Sequence, residues 1–375
     1  MKPPVTLEQL TTFVPDSRLH GDGSISVTRF VPPNEARSDE DLPLIMSLPV
    51  AEAVKETKPL LVKAAVLAES VAEKCPALLD RLAGALLVRR PRLALVELNS
   101  IFLPDQEHKT GIHPSAVVHE SATIDPTASI GPFVCIAKNV RIGPNSILTS
   151  QISIQQDASL GSDCLIHPGV RIGPRVQIGH RVIIQSNACI GSDGFSYVTP
   201  QENSAESVRD GRGLDGMEFS QPQLRIESLG NVVLEDDVDV GAGTTIDLAT
   251  LGSTIVRRGT KIDNLVQIGH NNTIGEDCVI CAQVGIAGSC KIGDGAILAG
   301  QVGIADHLTI GERSVLMAKT GVIKNIEADS ILFGYPSMPH RDALRAHALI
   351  QKLGDMNREI RRLQKRVDEL EGEAS

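Results

Sequence analysis

The sequence predicts an all-β-dominated fold: a parallel β-helix, flanked by a small N-terminal α/β domain and by C-terminal α-helices. Three observations carry this. An aliphatic ladder of period six runs from Ile112 through Val118, Ile124 and Ile130 to Ile190, and all fourteen of its positions are Ile, Leu or Val. A second ladder runs from Val256 to Val322 with twelve positions and no gap. Aromatic residues are scarce, at 2% with no Trp. A period of six fits neither a helix at 3.6 nor a strand at 2.0. It fits a chain that turns a corner every six residues, so three sides make an eighteen-residue coil about 4.8 Å tall. One inward aliphatic per side fills a narrow core that large rings would not enter. Gly after the ladder residue, as in Ile130-Gly131 and Ile274-Gly275, suits the tight corner.

The elements follow in order. Residues 1–104 lack the six-residue period and read as the α/β domain, with DSRLHGDGSISVTRFVPP as strand, Gly turn, strand. A linker near Pro104–Thr110 leads into the β-helix, 105–338. Its register is interrupted twice. From about Asp193 to Gln223 a polar, Gly-rich stretch leaves the coil as a projecting loop, of a length that is often functional. Ten residues then separate Ile246 from Val256, six plus four, which predicts a bulged corner. Residues 339–375 read as helical, preceded by Pro336 and Pro339, with Gly354 as a break between two helices and RRLQKRVDELEG as a heptad fragment.

Composition bounds the function. Net charge is −10, which excludes a general nucleic-acid binder. No apolar run reaches eighteen residues and no secretory signal opens the chain, so a cytoplasmic location is expected, without a transmembrane segment. Seven scattered cysteines agree with a reducing compartment. Cys278 and Cys281 form a CxxC without a second pair, which reads as small core residues rather than a metal site. The segment from Pro339 to Arg366 is basic, with Arg341, Arg345 and Lys352 among eight cations. It is either a solvated helix face or a docking surface for an acidic partner.

A rod with a full apolar interior holds chemistry only on its outside. His270 follows Ile268 by two residues and His307 follows Ile304 by three. The two ladder positions lie two coils apart, so both imidazoles fall on one corner, roughly 10 Å apart in height. Such a histidine is either surface decoration or a base poised near neutral pH. A zinc site would need a third ligand. By residue count His180 lies five coils from His270, so no metal is expected.

Five segments in order resemble the UDP-3-O-acylglucosamine N-acyltransferases of lipid A biosynthesis. They are Ile190–Tyr197 (IGSDGFSY), Thr244–Asp247 (TTID), Lys261–Asn271 (KIDNLVQIGHN), Gln283–Ser289 (QVGIAGS) and Gly334–Arg341 (GYPSMPHR). The resemblance covers the β-helix and the C-terminal segment. It implies a left-handed coil, unlike the usual right-handed crossover, and a homotrimer. It implies transfer of a (3-hydroxy)acyl chain from acyl carrier protein to the 2-amino group of a UDP-amino-sugar, with no cofactor beyond that acyl donor. By motif His270 is the general base and the Gly288 N–H the oxyanion donor. His307, Asp263, Asn264, Asn271, Phe195 and Tyr197 match substrate-binding positions. Acyl carrier protein is acidic, which gives Arg341, Arg345 and Lys352 a docking role. Two departures stand out. Leu248 follows Asp247 where the family usually has Arg, and Asp39–Pro49 lacks the Phe, Asn and Tyr of the family's uridine-binding segment. A related N-acyltransferase with another amino-sugar acceptor or an acyl-CoA donor, and a non-catalytic trimeric scaffold, are the alternatives.

Overall fold

The computed structural model describes residues 4–57, 59–104, 108–202, 206–207, 211, 221–334 and 340–373. The chain divides into two compact units, Met1–Glu107 and His108–Ser375. The first is an α/β unit. Its sheet has the strand order Ser17–Gly21, Gly84–Val88, Ala64–Ala68, Asp41–Ile45, Arg29–Val31. The last four strands are parallel and the first is antiparallel to Gly84–Val88. The central strands Ala64–Ala68 and Gly84–Val88 are buried at every position, as continuous apolar runs in a covered sheet should be. The two strands around the Gly turn do not pair with each other. Ser26–Val27 joins Val5–Thr6 instead, and Arg29–Val31 joins the far edge of the sheet. The Asp22 carboxylate accepts hydrogen bonds from Ser24 N and Oγ, which closes a local turn and sends the chain away from its neighbour.

The second unit is a stack of parallel two-residue strands, consistent with the left-handed β-helix expected. Its three long sheets hold nine, ten and eleven strands. Registers repeat with an offset of eighteen residues, for example Thr123 with Arg141 and Ser129 with Ile147. Ladder residues from Ile130 onward point inward and are almost fully buried. The first rungs differ: Ile112 is exposed, and Val118 and Ile124 are only half-buried, because coils stack on one side of them alone.

The interior carries a second row that the ladder does not reveal. Two residues before each ladder position stands another inward side chain, usually smaller. Val134, Val140, Ala158 and Val182 are examples, and Cys164, Cys278 and Cys290 sit there as buried thiols. Polar members are satisfied inside the stack. Thr260 Oγ1 donates to Gly275 O at 2.8 Å and accepts from Cys278 N at 3.0 Å. Ser146 makes the equivalent pair of bonds. Cys281, by contrast, is only half-buried, so the two sulfurs of the CxxC do not share an environment.

Corners have a rule of their own. From Ile130 onward the third residue after most ladder positions adopts the left-handed conformation, and Asn or Asp often fills it, as at Asn139, Asp157, Asn187 and Asn271. Gly143 shows why the residue just after the ladder is often small. A Cβ there would lie 2.6 Å from the Gly161 carbonyl of the next coil.

Both interruptions occur where the sequence places them. Strand Gln177–Ile178 pairs with Val233–Leu234, so the excursion leaves and rejoins without losing the stack. Tyr197–Val198 and Leu224–Arg225 pair antiparallel and form its stem. In the next coil Asp239 pairs with Lys261, an offset of twenty-two rather than eighteen. The extra residues lie in the turn between Asp247 and Ser253, beside a four-residue pairing of Asn231–Leu234 with Ser253–Val256, and a bulge separates Ile190 from Ser192.

The C-terminal segment is one helix, His340–Glu373, not two. Gly354 lies inside it. A helix-interior Gly costs about 1 kcal/mol, which the Arg, Lys, Glu, Gln and Leu around it outweigh. Pro336 and Pro339 lie outside the described residues, as does part of the excursion. Gly354→Ala is therefore expected to stabilise the helix by about 1 kcal/mol, read as higher helical circular dichroism and a later helix melt.

Candidate active site

The ten-stranded sheet carries Gln267–Ile268, Gly285–Ile286 and Gly303–Ile304 in successive coils. Chain and coil therefore place His270, Gly288 and Asp306 one above another at the same corner, with His307 next to Asp306. Backbone bonds tie these levels together: Ser289 N donates to His270 O at 2.9 Å and His307 N to Gly288 O at 3.0 Å.

His270 is half-buried and held on three sides. A Cβ on Gly288 would lie 2.7 Å from Cε1 and Nε2 of its ring, and one on Gly194 would lie 2.9 Å from its Cβ and 3.0 Å from Cδ2. Only glycines permit this approach. The third contact is polar: His270 Nδ1 lies 3.1 Å from Asn271 Oδ1. The Asn271 amide is oriented by its other bonds. Its Nδ2 donates to Leu251 O at 2.8 Å, and its Oδ1 accepts from Thr250 N at 3.0 Å. An acceptor therefore faces Nδ1, which must carry the proton, and Nε2 is left as the free base.

Beside the ring opens a cleft of about 490 Å³ lined by Asp193, Gly194, Phe195, Tyr197, Arg225, Asp247, Gln267, His270 and Gly288, among others. Phe195 is 87% exposed, and its ring lies 5.2 Å from that of Tyr197. An Asp193–Arg225 ion pair closes the root of the excursion. Asp247 is the buried acid of the cleft. Its Oδ1 accepts from Ser192 Oγ at 2.7 Å and its Oδ2 from Gln267 Nε2 at 3.1 Å. Thr245 Oγ1 in turn donates to Gln267 Oε1, which fixes the amide. Burial pushes the Asp247 carboxyl above the usual carboxylate range, and its two hydrogen bonds and the nearby His270 pull it back only in part.

The Gly288 N–H makes no hydrogen bond among the described residues and borders the same space as Nε2. Past the cleft the outward row of the sheet becomes Gly285, Gly303 and Gly321, none with an atom within 4 Å of where a Cβ would stand. They floor a trough of about 470 Å³ that shares Gln267, Ile286 and Ala287 with the cleft and ends at exposed Ile323.

The expected residues separate into groups. His270, Gly288, Phe195 and Tyr197 border one cleft, and Asn271 orients His270. His307 stands on the same corner, exposed, with Nε2 3.9 Å from Asp306 Oδ2, and is not part of the cleft wall. Asp263 and Asn264 occupy the preceding corner, one side of the triangle away. There they bind backbone: Asp263 accepts from Ala282 N at 3.0 Å and Asn264 from Ala242 N at 2.7 Å. Arg341, Arg345 and Lys352 lie exposed on the C-terminal helix. Leu248 is not a surface residue at all; it is 2% exposed and packs into the coil core.

The residue count misplaces His180. It contains the excursion and the four extra residues, neither of which adds a coil. In the nine-stranded sheet Gln177–Ile178 is only two coils from Ser253–Val256. His180 is thus two to three coils from His270, on a different corner, where Ser162 N donates to its Nδ1 at 2.9 Å. Among the described residues no three His, Cys, Asp or Glu side chains are grouped as metal ligands. Sequence reasoning missed Asp247, Ser192 and Gly194 as parts of the site. The signal was present, since all three lie in the IGSDG and TTID segments that break the six-residue register.

Comparison with known proteins agrees with this architecture. Residues 157–192 match the family described as bacterial transferase hexapeptide (six repeats). A UDP-3-O-acylglucosamine N-acyltransferase of Syntrophotalea carbinolica is 57% identical over 162 residues, covering 42% of this chain and 47% of that one. The protein of the same name from Geobacter sp. (strain M21) is 56% identical over the same length and shares. One from Paracoccus denitrificans is 51% identical over 208 residues, 56% of this chain and 57% of that one. The chain spans about half the length of the curated relatives it matches. A solved UDP-N-acetylglucosamine acyltransferase of Francisella novicida is 26% identical with a TM-score of 0.40, over 63% of this chain and 73% of that one.

Two outcomes follow from this geometry. Gly288→Ala should displace the His270 ring and break its bond to Asn271 while the coil persists, which a crystal structure of the variant and its melting temperature would show. Asp247 tests the electrostatics. Its folded pKa is raised, so its contribution to stability is fully present below the ordinary value near 4 and is lost as pH rises through the raised value. Asp247→Asn should therefore raise Tm at pH 7 relative to the parent, and the gain should vanish below about pH 4 in melts run across that range.

Proposed function

We propose that this chain is an N-acyltransferase that moves a (3-hydroxy)acyl chain from acyl carrier protein to the 2-amino group of UDP-3-O-acyl-glucosamine, in lipid A biosynthesis. The observation that carries the reading is the His270 arrangement: an imidazole whose Nδ1 is held by Asn271, bordering one cleft with Gly288, whose backbone N–H has no partner among the described residues, and that cleft is continuous with an apolar trough. The identity to proteins of that name supports it.

In this reading the amine nitrogen attacks the thioester carbonyl carbon while Nε2 of His270 takes its proton. The developing oxyanion meets the Gly288 N–H. The C–S bond then breaks, the amide forms, and the imidazolium returns its proton to the departing carrier thiolate. No covalent enzyme intermediate is needed. Asn271 keeps the required tautomer throughout. Asp247 and Asp193 offer carboxylate oxygens to the N–H groups of the incoming amine, and the Phe195–Tyr197 pair offers a face to a sugar or base ring. The trough floored by Gly285, Gly303 and Gly321 takes the acyl chain because bare backbone leaves room for methylenes.

Asp263, Asn264 and His307 reach substrate only in an assembly, and we take that assembly to be a homotrimer. The eleven-stranded sheet supports this. Its outward row is largely aliphatic, with Ile147, Leu165, Ile183, Val279, Ile297 and Val315, broken by the Asp239–Lys261 ion pair, whereas the nine-stranded sheet is mainly polar, with Arg141, Ser159, Gln177 and Lys291 around Val233 and Ile255. Apolar side chains on one flat face of a soluble rod call for a cover. The basic residues Arg341, Arg345 and Lys352 then receive the acidic carrier, and the reaction belongs in the cytoplasm. No helix of the described residues is long and apolar enough to cross a membrane.

The deciding assay uses 3-hydroxyacyl carrier protein and UDP-3-O-acyl-glucosamine. The parent should form the amide, and His270→Ala should lose about 10²–10⁴-fold in kcat with its melting temperature kept. Turnover with a different amino sugar, or with acyl-CoA alone, would redirect the substrate assignment. No turnover by the parent with any of these donors and acceptors would leave only a scaffold, and equal nonzero rates for parent and variant would remove His270 as the base.

A further inference from the structure

Two regular corners of one column bracket the irregular part of the rod. Ile172, Ile190, Ile246 and Ile268 stack in that order, so Arg175 and Asn271 hold the same corner position, roughly 15 Å apart in height. Between them the excursion and the turn after Asp247 replace the ordinary corners. The returning limb of the excursion, Ser228–Gly230, runs between these pieces. Ser228 and Gly230 are buried, so their carbonyls need donors. The half-buried Arg175 guanidinium supplies them. Its Nη2 donates to Ser228 O at 3.2 Å and to Gly230 O at 3.0 Å, and its Nε donates to Gly230 O at 3.2 Å. Among the described residues no other donor reaches either carbonyl.

We propose that Arg175 is a positioning residue for His270. Two routes lead from its fork to the imidazole. On one, Ser228 Oγ accepts from Gly194 N at 3.3 Å, and Gly194 is the glycine packed against the ring. On the other, Leu229 N donates to Thr250 O and Gly230 N to Ala249 O, both at 3.0 Å. Those bonds hold the turn whose Thr250 N and Leu251 O orient the Asn271 amide, and that amide faces Nδ1 of His270. One guanidinium thus fastens the limb on which both the packing and the polar contact of the ring depend. A planar fork suits the task, because it donates to two carbonyls at once, where an ammonium group is a point charge on a flexible stem. Without it two buried carbonyls lose their partners, and the limb must move to find water. The consequence for acyl transfer rests on the function proposed above; the consequence for the imidazole does not.

The test reads the imidazole and the rate separately, on the full chain. Histidine labelled with ¹⁵N tells a protonated ring nitrogen from a bare one, and the His270 signals are identified by their loss in His270→Gln. In the parent, at a pH where the ring is neutral, His270 is expected as a single form with the proton on Nδ1. Arg175→Met keeps the aliphatic stem and should give a mixture of the two tautomers. With 3-hydroxyacyl carrier protein and UDP-3-O-acyl-glucosamine its kcat should fall about 10–100-fold with KM little changed. Arg175→Lys, which keeps the charge and one donor group, should recover part of both losses. A merely structural role would lower the melting temperature and leave tautomer and kcat alone. An Nδ1–H form kept intact in both variants would overturn the proposal, whatever the rate or the melting temperature does. A parent without turnover would overturn the acyl-transfer reading instead, and the tautomer would still decide this one.

Discussion

Every feature of the β-helical unit depends on one interaction, the backbone hydrogen bond between residues a coil apart. Gly131 N to Leu148 O, Cys135 N to Ile152 O and Gly293 N to Ile310 O are three of its repeats, each at 2.8 Å. Because these bonds fix the rise per coil, they also decide which side chains touch. Residues eighteen apart are stacked neighbours even though nothing local joins them. The core follows as columns of aliphatic residues, and the corner follows as columns of Asn and Asp in the left-handed conformation. In some columns the side chains bond to each other, as Asn139 does to Asp157 at 2.9 Å and Asn145 to Asp163 at 3.1 Å.

The candidate site is a special case of the same stacking. His270 and Gly288 are eighteen residues apart and therefore adjacent, which is how an imidazole and a backbone N–H with no partner among the described residues come to border one cleft. A site built on coil corners is as rigid as the stack beneath it. The Asn271 amide extends that rigidity to the proton on Nδ1, since its own bonds to Thr250 and Leu251 leave it no alternative orientation. In the acyl transfer proposed for this site, rigid placement of base and oxyanion donor would mean that nothing needs to reorganise as charge develops.

The ladder made the fold legible because a period of six over twenty-six positions has no competing explanation. It also located the excursion and the four-residue insertion, since a register shift is visible by counting. Counting failed where it was applied across the irregularity, at His180. The second inward row was hidden for another reason: Ala, Ser, Thr, Cys and Asn occupy it as readily as Val, so hydropathy shows no period there. Gly354 read as a break because propensity was weighed locally, while thirty-three other residues of the helix set the outcome. The Asp247 network was illegible because its partners are set by a bulge. Only the offset between Ile190 and Ser192 brings the Ser192 hydroxyl to the carboxylate.

The departures from the repeat are not scattered. The bulge at Ser192, the root of the excursion at Asp193 and Gly194, and the four-residue insertion after Asp247 all meet on the side of the rod that carries His270. Each has a local cost: a broken ladder bond, an ordered hairpin stem, a carboxylate held away from water. A repeat protein gains nothing in stability from such interruptions, since each coil is stabilised by resembling its neighbours. The one place where the chain stops resembling itself is where glycine clamps an imidazole, where a buried acid meets a cleft, and where Leu248 turns inward to refill the core beneath the bulge. Leu248 is then the compensation for the irregularity: its side chain fills the volume beside Gly191, with a closest approach of 3.4 Å to where a Cβ of that glycine would stand. A polar side chain at this position would leave the bulged coil both unfilled and unsatisfied, so in this chain the residue after Asp247 supports the floor of the site instead of reaching into it.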